Sequence, residues 1–356
     1  MRERLRKLII RLSPILLESM NISELASQLE ISVTTVSRVL SGTAAKYRIS
    51  QTTSDRVLKA ADRYDVRPDA LGAGLRKGKL GLIGLLLPDI TNPFFSSLAR
   101  AIERELRDVG LAVLLGDSNE DVDTERDKLS VMLARRLDGL ILVPVGAGSV
   151  ELEKVVNNGS TPVVMVDRII PGLEVPSVCL DNFSAGRMAV KHLLEAGHRK
   201  IGCLRGEPGS FADTERLRGF TAALEEYGVS VNKEIIRGSG YSRESGRSSA
   251  RFILDPIRRP SALVTLCGQG ILSLLEVASE MDVQLPDDLS VVAFDEQPWS
   301  SFLKPPLTTI VQPIDELAKQ VVSLLLIEVR VVNRSAPRIT LQAELRERSS
   351  VRCIEH

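Results

Sequence analysis

Cysteine and histidine are scarce in this 356-residue chain, at four and three residues, and aromatic side chains make up only 4%. Cys179, Cys203, Cys267 and Cys353 stand far apart, with no CxxC pair and no histidine at ligand spacing. This excludes a zinc site or a disulfide framework and fits a reduced, cytoplasmic protein. His192, His198 and His356 come with no metal spacing, no nucleophile elbow and no acid–base set. Catalysis, a metal and a cofactor are therefore all left without candidate residues. No uninterrupted apolar run is long enough to span a membrane, so no membrane partner is expected. Net charge is missing too, because 46 Lys/Arg balance 46 Asp/Glu; taken whole, that balance speaks against a nucleic-acid partner.

Counted by region, the charge reads differently. Residues 1–79 hold 15 Lys/Arg against 8 Asp/Glu, a balance of +7, and the remainder holds 31 against 38, a balance of −7. A basic head on an acidic body is expected when only one module meets phosphate. The length predicts two or three domains, and a hydrophobic content of 44% is enough for large cores. Residues 1–19 carry Arg2, Arg4, Arg6 and Lys7 before an apolar stretch, but Arg11 and Pro14 interrupt it and no small-residue cleavage site follows. They read as a short extension, an artefact of start-codon choice being one explanation, since Met20 directly precedes the first well-formed motif.

That motif opens with Asn21 and Glu24 at capping-box spacing, followed by Leu25, Ala26 and Leu29 at helical spacing. After a short break, Ser32 is placed to cap a second helix over 33–40, with Val36, Val39 and Leu40 inward and Thr34, Thr35, Ser37 and Arg38 outward. A third helix is expected from Ser50 to Tyr64. Two short helices joined by a tight turn form a helix-turn-helix, and the outward face has the chemistry to read base edges in a major groove. Spacing alone also fits any small helical bundle.

The run NISELASQLEISVTTVSRVLSG, continued by RISQTTSDRVLKAADRYDVRPDAL, closely resembles the DNA-binding head of the LacI/GalR family of bacterial transcription regulators. The resemblance extends to about residue 350. It implies that Val33, Thr34 and Arg38 contact bases, with Ser32, Thr35, Ser37 and Ser41 as phosphate or base neighbours. Glu30 departs from the family by standing at a turn position often held by glycine.

Residues 67–79, RPDALGAGLRKGK, have the composition of a tether. Their GxGxxxG spacing is not the dinucleotide fingerprint, and no strand precedes it. The resemblance implies a hinge that becomes helical on operator DNA, with Leu75 wedging into the minor groove at the operator centre. Gly72 and Gly74 disfavour that helix by about 1 kcal/mol each.

From residue 80, short apolar runs alternate with helical patterns, which predicts doubly wound parallel sheets with ligands at the carboxyl ends of their strands. The strand-end residues Asp89, Asp167, Arg168, Asp181, Asp295 and Glu296 are therefore candidates. The motifs PDITNPFF, RRLDGLILVP, GHRKIGCLRG, ERLRGF and LSVVAFDE resemble the two-lobed, periplasmic-binding-protein-like core of the same family. That resemblance implies an effector gripped by Arg216 and Asp295, packed on Tyr241, with Asp89, Phe94 and Trp299 lining the cleft. Taken alone, Arg216 also reads as a surface cation and Asp295 as a strand-end cap. At residues 267–268, Cys-Gly replaces the family's Asn-Asp. This loses two hydrogen-bonding side chains and speaks against a sugar, leaving a less polar effector, a phosphorylated or acidic one, or none. Cys267 itself reads as a small core residue or as a redox sensor.

The fold expected is an all-α helix-turn-helix head (20–66), a hinge (67–79), an α/β core (80–350) and a short tail (351–356). The first lobe is placed at about 80–168 plus 308–335 and the second at about 175–305 plus 336–350. The function expected is a sequence-specific regulator, a repressor, that binds a pseudo-palindromic operator as a homodimer under control of a small-molecule effector. The alternative is a solute-binding protein of the same core fold. The basic head predicts that affinity for duplex DNA falls about a thousand-fold between roughly 50 and 200 mM salt, as phosphate contacts release counterions. Fluorescence anisotropy across a salt series checks this, and a flat profile contradicts it.

Overall fold

The structure is a computed structural model and describes residues 20–66, 80–146, 150–159, 161–238, 240, 242–328 and 336–354. The readings made for residues 1–19, for the 67–79 hinge with Leu75, and for Tyr241 lie outside the described residues. The chain divides into two compact units, Met1–Leu80 and Gly81–His356.

The smaller unit contains helices α1 (Ile22–Gln28), α2 (Val33–Leu40) and α3 (Gln51–Arg63). Each begins on a side-chain oxygen that accepts from a backbone N–H of the first turn. Asn21 accepts from Glu24 at 3.0 Å, Ser32 from Thr35 at 3.1 Å and Ser50 from Thr53 at 3.2 Å. These bonds satisfy donors that a helix start leaves unpaired, and the Glu24 carboxylate completes the capping box by accepting from Asn21 N at 2.8 Å. Glu30, in the turn, has φ 55°, the left-handed backbone for which glycine is the usual choice, at a cost of about 1 kcal/mol. Leu25, Ala26, Val36, Val39, Val57 and Ala61 turn inward into one small core.

The larger unit is built on two six-stranded sheets. The first contains β1 (Leu82–Leu87), β2 (Ala112–Asp117), β3 (Gly139–Leu142), β4 (Val163–Val166), β5 (Ser177–Leu180) and β11 (Arg338–Leu341), in the order β11–β5–β4–β3–β1–β2. The second contains β6 (Ile201–Leu204), β7 (Ile236–Arg237), β8 (Ala262–Thr265), β9 (Ser290–Phe294), β10 (Thr308–Val311) and β12 (Glu344–Arg346), in the order β12–β10–β9–β8–β6–β7. Pairing is parallel throughout except between β10 and β12. The inner strands β3, β4, β5, β8 and β9 are buried along their whole length, as parallel strands covered by helices on both faces must be. In β1, Ile83, Leu85 and Leu87 face the layer of α4 (Pro93–Asp108) and α11 (Ile314–Glu328). Leu86 faces the opposite layer, with Leu129 and Met132 of α5 (Val122–Leu133) and Leu152 of α6 (Val150–Asn158), following the two-residue period of a strand. No described helix is long and apolar enough to cross a membrane.

The lobes divide differently from the expected boundaries. β5 pairs with β4 and β11, so residues 177–180 belong to the first sheet, as do 338–341. β10 pairs with β9, which gives residues 308–311 to the second sheet. An apolar run identifies a strand, but its partner is set by packing far away in sequence, and the sequence pattern carries no mark of it. The chain thus crosses between sheets three times, after β5, after β10 and after β11.

In the second lobe, α7 (Asn182–Glu195) and α8 (Phe211–Glu226) pack backbone to backbone. A Cβ at Gly186 would lie 2.1 Å from the Arg216 carbonyl oxygen, and one at Gly219 would lie 2.0 Å from that of Phe183. Either Gly→Ala change must push the helices apart, and overpacking of this kind costs about 1–3 kcal/mol. Gly186→Ala and Gly219→Ala should each lower the melting temperature by several degrees, measured by differential scanning calorimetry. An unchanged melting temperature contradicts this packing.

Candidate functional site

The described residues hold two places where function can act, one in each unit. In the head, α2 carries no acidic side chain, and its outward face presents Val33, 47% exposed, beside exposed Ser32 and Thr34 and half-buried Thr35, Ser37 and Arg38. Ser32 Oγ lies 2.8 Å from Thr35 Oγ1 at the start of this helix. At its end, Ser41 Oγ donates to the Arg38 carbonyl at 3.2 Å. The Arg38 guanidinium carbon lies over the Tyr47 ring, 3.7 Å from its centroid, a separation too short for anything but face-on stacking.

In the core, the carboxyl ends of both sheets face a cavity of about 820 Å³. From the first lobe it is lined by Asp89 after β1, Asn119 and Glu120 after β2, residues 144–146 after β3, and Arg168 after β4. From the second come Glu207, Ser210, Phe211 and Thr214 around the start of α8, Ser242 before α9 (Arg243–Leu254), and Gln269 in α10 (Gly268–Glu280). Gln269 Nε2 donates to Asp89 Oδ2 at 3.0 Å, a direct bond from one lobe to the other. Arg168 grips Glu120 with two donors at 2.7 and 2.8 Å. Asp213 anchors the second lobe's lining segment by accepting from Gly206 N at 3.0 Å and from Arg205 Nε at 3.0 Å.

A buried polar network adjoins the cavity. Arg216, 5% exposed, donates from Nε to Asn182 Oδ1 at 2.8 Å and from Nη1 to the Leu266 carbonyl at 2.7 Å, and its Cζ lies 4.3 Å from the Phe294 ring centroid. Asp295 accepts from Gly268 N at 3.1 Å and from Gln312 Nε2 at 2.7 Å. Asp167 Oδ1, Gln269 Oε1 and Gln312 Oε1 are buried acceptors with no hydrogen-bond partner among the described residues. In the same set, no group of three or more His, Cys, Asp or Glu side chains could hold a metal ion.

Comparison with known proteins bears on both places. The family model for bacterial regulatory proteins of the lacI family matches residues 21–69, and that for the periplasmic binding protein-like domain matches residues 190–351. The HTH-type transcriptional repressor CytR of Escherichia coli (strain K12) is 31% identical over 337 residues, covering 93% of this chain and 96% of that protein. The chain belongs to the LacI family. The transcription regulator CcpA of Lactococcus lactis superposes with a TM-score of 0.69 at 25% identity, over 76% of this chain and 99% of that one. A LacI family regulator from Enterococcus faecium with bound ribose superposes with a TM-score of 0.70 at 26% identity, over 77% of this chain and all of that one. With its helix-turn-helix head, this LacI family member is a transcriptional regulator and not a plain solute-binding protein.

Of the effector residues expected from the LacI family resemblance, Asp89 lines the cavity. Arg216 and Asp295 are not surface groups but members of the adjoining network, in which Nε and Nη1 of Arg216 and both carboxylate oxygens of Asp295 have partners. Phe94 is 6% exposed and packs edge-to-face on Phe95 inside the first lobe's core. Trp299 packs against the second lobe's core beside Leu303. Both rings were expected in the cleft; Phe94 instead buries its apolar area in the core, and Trp299 stays half-buried on the core's flank. Cys267 stands just before α10, and burial pushes its thiol up to about 11. A thiol held protonated is a small inert residue, not a redox sensor.

Sequence reasoning missed Asn119, Glu120, Phe211, Ser242 and Gln269. The strand-end rule that flagged Asp89 and Arg168 would also have reached Asn119 and Glu120, which follow β2 directly. Burial pushes the Asp167 carboxyl up to about 6 from an ordinary value of 3.8, against the pull of Arg216 and Arg168. Between those values the folded chain keeps a proton that the unfolded chain has released, so stability falls as pH rises through the window. Asp167→Asn should therefore stabilise the protein by on the order of 2–3 kcal/mol at pH 8 and leave it unchanged below about pH 4. Melting temperatures across pH check this, and an equal effect at both ends contradicts it.

Proposed function

We propose that this LacI family regulator reads operator DNA through the exposed face of α2 and is controlled by a small molecule bound between the lobes of its core. The observation that carries the first half is the α2 face itself, where Val33, Thr34 and Arg38 project from a helix that has no acidic side chain. Val33, Thr34 and Arg38 make the base contacts, while Ser32, Thr35, Ser37 and Ser41 hold phosphates. Leu75 wedges the operator centre. A dimer sets two heads on a pseudo-palindromic site. The protein acts in the cytoplasm as a repressor without enzymatic activity.

The cavity supports a small, neutral, hydrogen-bonding effector. Its described lining carries Asp89, Glu120 and Glu207 against a single cation, Arg168, which is already bonded to Glu120. A carboxylate or phosphate ligand would meet repulsion there. Cys267 and Gly268 lack hydrogen-bonding side chains, but Gln269 brings an amide into the same stretch of the cavity. The Enterococcus faecium relative holds ribose, a ligand of this chemical type. In a gel shift on duplex DNA selected from a random pool, Arg38→Ala should weaken binding about 10- to 100-fold, as losing a bidentate base contact does. Arg216→Ala should leave binding without effector in place, and deleting residues 1–79 should remove it. Retained DNA binding after that deletion contradicts the proposal.

A further inference from the structure

Residues 41–50, between α2 and α3, form an ordered turn pinned at both ends. At the helix end, the Arg38 carbonyl accepts from Thr43 N at 2.9 Å, from Thr43 Oγ1 at 3.1 Å and from Ser41 Oγ at 3.2 Å. At the far end, a 3-10 turn over Ala45–Tyr47 is closed by Arg48 at φ 55° and by a bond from Ile49 N to the Ala44 carbonyl at 3.1 Å. Ala44 and Ile49 pack against the head's core. The turn so fixed carries the Tyr47 ring, 46% exposed, to the face of the Arg38 guanidinium. Among the described residues no carboxylate pairs with Arg38.

We propose that Tyr47 is a positioning residue for DNA reading: it holds the Arg38 side chain so that its donor edge is aimed at the bases. This rests on the reading that Arg38 contacts base edges. A guanidinium offers two separate surfaces, a flat face that stacks on an aromatic ring and an in-plane edge of five N–H donors that pairs with guanine O6 and N7. The Tyr47 contact uses only the face, so it supports the arginine without competing for the donors the base needs. A carboxylate partner would have used up that edge. A free arginine must also be ordered when it binds, and one already stacked has less freedom to lose. Tyr47 thereby makes the turn after the recognition helix part of the specificity apparatus without touching a base.

The test selects preferred duplexes from a random-sequence pool with the full chain, and compares wild type with Arg38→Ala, Tyr47→Leu and Tyr47→Phe. Leucine keeps apolar bulk in the turn but removes the ring, whereas phenylalanine keeps the ring and removes only the hydroxyl. Tyr47→Leu should lose about two- to five-fold discrimination, confined to the base-pair positions that Arg38→Ala relaxes, with the salt dependence of binding unchanged. Tyr47→Phe should keep the wild-type preferences. The proposal is overturned if Tyr47→Leu keeps the wild-type profile, sharpens it, or weakens all sequences equally. If Arg38→Ala itself leaves the preferences intact, the base-contact reading fails first and this proposal falls with it.

Discussion

Arg216 reaches from α8 to the start of α7, to the Leu266 carbonyl just after β8 and to the ring that ends β9, and the second lobe's side of the cleft is arranged around that reach. Taking a guanidinium out of water costs several kcal/mol unless its donors are met. Here Nε and Nη1 have oxygen partners under 3 Å, the face has Phe294, and Asp167 is close enough to feel the charge. The two glycines that let α7 and α8 touch sit beside this group, since the Gly186 position faces the backbone of Arg216 itself. A bulkier residue there would shift the arginine along with the helix. The close helix packing and the polar network therefore hold each other in place.

The head was legible almost to the residue because its signals are local. Ser32 caps, Val36 and Val39 bury, and the helix between them runs over Val33–Leu40 as the spacing required. Glu30, at a turn position where the family often has glycine, does lie in left-handed backbone. The core was legible as a list of strands but not as sheets, because β5, β10 and β11 find partners that no nearby residue announces. In the cleft, strand ends pointed to Asp89 and Arg168, since that rule depends only on where a strand stops. Gln269 could not be found this way. Its bond to Asp89 joins residues 180 apart in sequence, and only the folded chain brings them together. Phe94 differs for another reason: an aromatic near a strand end is as useful to the core as to a ligand, and the first lobe's core holds its ring.

Three crossings between two sheets also bear on how such a gene can be rearranged. The head is a contiguous stretch, and a recombination break near residue 80 transfers it whole. Neither lobe is contiguous in the same way. The first lobe draws on strands from Leu82 to Leu341, with nearly the whole second sheet threaded through the gap. Every break between those residues splits the first lobe. Head and core can therefore each be exchanged whole at that one break, while neither lobe of the core can be exchanged without the other.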